Sequence, residues 1–163
     1  MNKRRSQSSR KRERECMLRY QSQGEVHKDF HRLTCATLHY LKDHFGSSAM
    51  EEVLKNTAQK VYKTIHKNLK DGNCEELIEF WTYYLKRENG EFTLTRGEDE
   101  IRLIVKKCPA LHHLVELGQA PDQILCDATR IFNDALTEGT PYHLSTEQIG
   151  EFSCIQTLKR RKK

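Results

Sequence analysis

The spacing of apolar residues first changes at Gly90, and the change limits which folds the chain can adopt. Upstream, Phe30, Thr34, Thr37, Leu38, Leu41 and Phe45 recur at three- and four-residue steps, one face of a helix starting near Glu25 and stopped by Gly46. "SSAMEEV" restarts a helix with an N-cap serine and early glutamates, and Met50, Val53, Leu54, Val61, Ile65 and Leu69 form its stripe. "DGN" (Asp71 to Asn73) breaks it. Leu77, Ile78, Trp81, Tyr84 and Leu85 mark a third helix, ending near "ENG", with Trp81 expected in the core.

Downstream the period is two. Phe92 and Leu94, then Ile101, Leu103 and Val105, alternate around a Gly-containing turn and predict a β-hairpin. A short helix from Ala110 to Leu117 follows, stopped by Gly118. Pro121 opens a longer helix to about Glu138, and "PYHLSTEQIGEFSCIQTLKRR" predicts a second hairpin turning near Gly150. Three helices, a hairpin, two helices and a hairpin argue for an α+β fold, with an antiparallel sheet packed against helices.

Charge divides the chain further. Residues 1–15 hold seven Lys/Arg and two acids, a net of +5, and "KRRKK" (Lys159 to Lys163) adds another +5. The whole chain carries +5, so residues 16–158 carry −5. The expected organisation is a disordered basic tail over 1–15, one domain over 16–158 and a basic C-terminal tail over 159–163. An acidic body is not a nucleic-acid groove, and the basic runs lack interleaved aromatics, so nucleic acid is not an expected partner. No apolar run reaches the roughly 20 residues of a membrane span, so no membrane partner is expected either. Six cysteines without an export signal imply a reducing, cytoplasmic setting and free thiols. A homo-oligomer stays open.

The stretch "KKCPALHHLVELG" concentrates the chemistry. Pro109 suits the first helical position, which makes Cys108 the N-cap beside the positive helix end, with Lys106 and Lys107 preceding it. Those surroundings predict a lowered thiol pKa and a reactive Cys108; the bland alternative is an inert helix start. His112 and His113 point to adjacent faces, so at most one turns towards Cys108, as base or ligand. Cys126 falls off the apolar stripe of its helix (Leu125, Ala128, Phe132, Ala135, Leu136), which leaves water, a partner or a site between elements as its neighbour. Cys154 alternates with Phe152 and Leu158 and faces inward.

On the first helix His27, His31, Cys35 and His39 follow at four-residue steps. Each such step drifts by roughly 40°, so the four cannot share one ion. His27 and His31, at the edge of the stripe, are the candidate pair for a divalent metal, the one cofactor the sequence leaves open; Cys35 and His39 point away. The alternative is two amphipathic histidines at the core's edge.

"CPALHHLVELG" (Cys108 to Gly118), "CDATRIFNDALTEG" (Cys126 to Gly139) and "GEFSC" (Gly150 to Cys154), with "HKDFH" (His27 to His31) upstream, resemble the L-2-amino-thiazoline-4-carboxylic acid hydrolase-like family over roughly residues 25–160. The layout is similar, more loosely, to four-vinyl-reductase-type ligand-binding domains. The first resemblance implies hydrolytic opening of a five-membered thiazoline ring bearing a carboxylate. A small-molecule substrate would then meet Cys108 as nucleophile, His112 or His113 as proton carrier, Cys126 and Cys154 as pocket lining, and Arg130 as carboxylate ligand. The rival expectation is a non-catalytic ligand or metal sensor using Cys108, Cys126 and Cys154 as soft ligands.

Overall fold

A computed structural model describes residues 29–161. Six α-helices and one four-stranded sheet make an α+β fold, in the expected order. Helix α1 (Asp29–Phe45) ends at Gly46, whose φ of +84° is a conformation that glycine adopts without strain. Gly46 also precedes the first residue of α2 (Ser47–Asn56), so no serine hydroxyl caps that helix, contrary to expectation.

The single long helix expected from Met50 to Leu69 is interrupted by a π-helical turn (Thr57–Val61) before α3 (Lys63–Lys70). A π turn shifts the helical phase. Met50, Ile65 and Leu69 are buried as expected, but Val61 is 72% exposed and Ala58, four residues before Tyr62, takes the core position. Helix α4 (Glu75–Arg87) buries Leu77, Ile78 and Trp81, as its period predicts.

Strands β1 (Glu91–Arg96) and β2 (Glu100–Lys107) form the first hairpin, and β3 (Tyr142–Gly150) and β4 (Ser153–Arg160) the second. The two hairpins join through β2 and β4, giving the order β1-β2-β4-β3, antiparallel throughout. Lys159 pairs with Glu100 and His143, and Arg160 with Tyr142. The last strand therefore runs two residues into the stretch expected to be a tail, because its alternation persists after the apolar residues stop. Residues 1–15 lie outside the described part. Among the described residues no helix is long and apolar enough to cross a membrane.

Between the hairpins lie α5 (Pro109–Glu116) and α6 (Gln123–Thr137). Helix α6 is buried on two sides. Ala135 and Leu136 join Leu103, Leu144 and Leu158 of the sheet in the main core, with Trp81 and Leu69; Ile124 and Ala128 join Leu38 and Met50 in a second core. On the sheet side of α6 the buried Asn133 donates to Thr146 Oγ1 at 2.8 Å and Gln156 Oε1 at 2.9 Å. Both amide hydrogens are used, so this polar layer is buried without an unmade bond on the donor.

Candidate functional site

Cys108 occupies the expected N-cap of α5, with φ −70° and ψ 117°, and Pro109 opens the helix. Its backbone N–H donates to the Phe152 carbonyl at 2.8 Å, which docks the β3–β4 turn onto the start of α5. The reactivity expected from this position is not what the surroundings produce. Burial pushes the thiol pKa up; the Leu111 and Ala110 amides pull it down by less, and the Glu88 charge pushes it up again. The helix end acts in the predicted sense, but desolvation outweighs it. Lys106 is exposed on β2, where water screens its charge.

Cys126 and Cys154 both lie within electrostatic reach of Cys108. Cys126 is raised first by burial and then by Cys108; Cys154 is pushed up to about 11 by burial, Cys108 and Cys126. Cys126 is thus half-buried between elements, one of the three environments its helical position allowed. Cys154 sits on the inner face of β4 opposite Val105 and Gln148. The three sulfurs are not drawn into a tight metal-ligand group. Among the described residues the trio of ligand atoms that lie within 4.8 Å of one another is Cys35, His39 and Asp122.

The residue the sequence did not announce is Glu88. It is the C-cap of α4, in a stretch that reads as a solvated helix end, yet it is only 3% exposed. The backbone explains this. Asn89 takes φ +57°, its N–H donates to Lys86 O at 3.3 Å, and the Gly90 N–H donates to Leu85 O at 2.8 Å. This paired ending turns the chain sharply after Glu88. A Cβ on Gly90 would lie 3.1 Å from Leu85 Cδ2 and 3.3 Å from Pro109 Cδ, so glycine there lets the end of α4 close against the start of α5. Glu88 is thereby held near enough to Cys108 for its charge to act on the thiol. Asn-Gly after a helical glutamate was the available signal for a tight C-terminal turn.

His31 Nε2 and Glu88 Oε2 are 2.8 Å apart, and both side chains are buried. An ionised carboxylate only accepts, so the pair shares one proton along this line. Glu88 Oε1 has no hydrogen-bond partner among the described residues. His113 is buried beside the pair, its ring 6.3 Å from that of His31. Phe30 lies 4.0 Å from the His31 ring and meets Tyr84 edge-on. Burial, then the Tyr62 and Glu88 charges, push Tyr84 up to about 12.

Of the two adjacent histidines His113 therefore turns inward, while His112 packs on Phe152 at 4.7 Å between ring centroids. Arg130 lies close enough to Cys126 to lower its pKa, but its guanidinium is engaged by Asp127 and is half exposed. His27 lies outside the described residues, so the expected His27/His31 pair is represented by His31 alone, committed to Glu88. A cavity of about 170 Å³ opens next to Cys126, lined also by Leu111, Pro121, Asp122, Gln123, Gln148 and Glu151.

This is an α+β domain with a buried carboxylate–imidazole pair and three clustered thiols where α4, α5, α6 and β4 meet. No family model, no curated protein and no solved structure matches the chain.

Proposed function

We propose that the chain is a small-molecule hydrolase that opens a C–N bond in a cyclic amidine-like substrate, as its resemblance to the thiazoline-carboxylate hydrolases implies. The observation that carries this reading is the burial of the His31–Glu88 pair, whose carboxylate charge reaches the Cys108 thiol. A buried charge-capable pair adds little stability over an apolar one, which favours a functional use, and a base within reach of a thiol is an arrangement of nucleophilic catalysis.

Because the Cys108 thiol is protonated at neutral pH, it is activated during attack rather than before it. Glu88 Oε1, unpartnered among the described residues, takes the thiol proton as sulfur bonds to the substrate carbon between its heteroatoms. The ring C–N bond breaks and the leaving nitrogen receives a proton from His31 or His113. Water then adds to the same carbon and releases the Cys108 thiol. Cys126 and Cys154 line the pocket as neutral thiols. Arg130 meets the substrate carboxylate by exchanging it for Asp127.

A ligand-binding domain without catalysis is the second reading. It rests on the raised pKa values of all three thiols, which favour a neutral lining over soft metal ligation. Incubation with 2-amino-thiazoline-4-carboxylate separates the two. Turnover that vanishes in Cys108→Ser and falls by roughly 10²- to 10⁴-fold in Glu88→Gln supports the hydrolase. Binding without turnover supports the second reading, and activity that survives Cys108→Ser removes the assigned nucleophile.

A further inference from the structure

Apart from the thiol cluster, α1 and the N-terminus of α6 bring together three side chains of a different kind. Cys35 and His39 stand four residues apart on α1, so both project from one side of the helix. Asp122, 83 residues beyond His39, is the N-cap of α6. Its Oδ2 accepts from Cys35 Sγ at 3.2 Å and meets His39 Nε2 at 2.7 Å. The three ligand atoms lie within 4.8 Å of one another. Cys35 does not point away from the body, as its place off the apolar stripe had suggested; it packs against the second core, with only His39 exposed.

We propose that Cys35, His39 and Asp122 form a binding site for a zinc-like divalent cation. The donor set is one sulfur, one imidazole nitrogen and one carboxylate oxygen, which suits zinc and not the all-oxygen shells of magnesium or calcium. Bond lengths of about 2.0–2.3 Å around a tetrahedral ion put its ligands roughly 3.3–3.7 Å apart. The Sγ–Oδ2 and Nε2–Oδ2 separations are shorter than this by a few tenths of an ångström to about 1 Å. A cation entering the triangle replaces the thiol proton and the proton between Nε2 and Oδ2, and the side chains move apart by that small amount. Cys35 then binds as thiolate and His39 through the Nε2 lone pair.

Two further features fit a metal ligand set. Asp122 Oδ1 accepts the Ile124 N–H at 3.0 Å, an outer hydrogen bond that fixes the carboxylate's direction. Asp122 also lines the 170 Å³ cavity beside Cys126, so the fourth position of a tetrahedral ion has space for water or a small ligand. Three protein ligands with an open fourth position is the composition of a catalytic rather than a closed structural site. The assignment does not depend on the hydrolase reading, because no residue is shared with the Cys108–Glu88–His31 group.

The test is titration of the full-length reduced chain with zinc in competition with a chromophoric chelator, and with cobalt as a spectroscopic probe. One equivalent is expected to bind, and cobalt is expected to show a thiolate charge-transfer band. Cys35→Ser, His39→Gln and Asp122→Asn should each weaken zinc by at least the roughly 10- to 100-fold that losing an outer-shell contact costs. Asp122→Asn keeps the helix cap, and His39 is exposed, so these variants remain folded. Cys108→Ser should leave the affinity unchanged. No zinc binding, binding that none of the three variants weakens, or binding abolished by Cys108→Ser would overturn the proposal and leave the trio a pair of hydrogen bonds tying α1 to α6.

Discussion

Nε2 of His31 and Oε2 of Glu88 lie 2.8 Å apart across 57 residues of chain, and both side chains are buried. The contact joins the first described helix to the end of α4 and sets a proton-sharing pair within electrostatic reach of the Cys108 thiol. Removing one partner strands the other in a dry site. His31→Ala should therefore cost about 3–5 kcal/mol, whereas His31→Gln, which keeps an N–H donor, should cost much less. Urea unfolding of both variants checks this; equal, small losses would mean the pair is hydrated and catalytically unremarkable.

Trp81 is 6% exposed and shares the main core with Leu77 and Leu103. Trp81→Ala should remove about 3–5 kcal/mol. As the one tryptophan of the chain, it should also give blue-shifted fluorescence that moves to the red on unfolding. Red-shifted emission from the folded protein would contradict its burial.

Trp81 also shows where sequence reading succeeds. Its helix keeps a 3.6-residue period, and the hairpins keep a period of two between the register shifts near Glu91 and Gly150, so the faces follow directly. The reading failed where something non-local or off-period intervened. The π turn shifted the phase between Met50 and Ile65, which put Val61 outside. Glu88 has the identity of a surface residue, and its burial depends on the turn at Asn89 and Gly90 and on α5 closing over it. Cys108 was located correctly at the helix start, but spacing carries no information on desolvation, which reversed its expected pKa. Cys35 and His39 meet Asp122 only because α6 begins beside α1.

Alkaline titration reads the thiols directly. Cys154 is pushed from 9.0 up to about 11 by burial and by Cys108, and Cys35 to about 11 by burial and Asp122. The folded protein thus holds these protons more tightly than the unfolded chain. That contribution is complete below about pH 9 and is lost as pH rises towards 11. Unfolding free energy should fall already between pH 9 and 10, before Tyr62 and Tyr84, both raised above 10.0, begin to titrate. The slope there should flatten in Cys154→Ser. A slope unchanged by that substitution would show that Cys154 titrates normally.

The C-terminal boundary can be tested by truncation. Arg161 donates through its N–H to Pro141 O at 2.8 Å and through Nε to Tyr142 O at 2.7 Å. Lys159 Nζ lies 3.0 Å from Glu100 Oε2. Ending the chain after Arg161 should leave the melting temperature unchanged. Ending it after Leu158 removes several backbone bonds of about 0.5–1.5 kcal/mol each, and should lower it by more than about 5 °C. Identical melting of both truncations would mean that the end of β4 adds no stability.

The central claim is that Cys108 attacks the substrate with help from Glu88, and the covalent step can be seen without steady-state kinetics. Protein is mixed with 2-amino-thiazoline-4-carboxylate, quenched in acid and mapped by mass spectrometry. The account predicts an adduct of substrate mass on the peptide containing Cys108, formed during turnover by the unaltered protein and absent in Cys108→Ser, with slower formation in Glu88→Gln. Turnover without any adduct on Cys108, or an adduct that forms equally fast when Glu88 is glutamine, would contradict it.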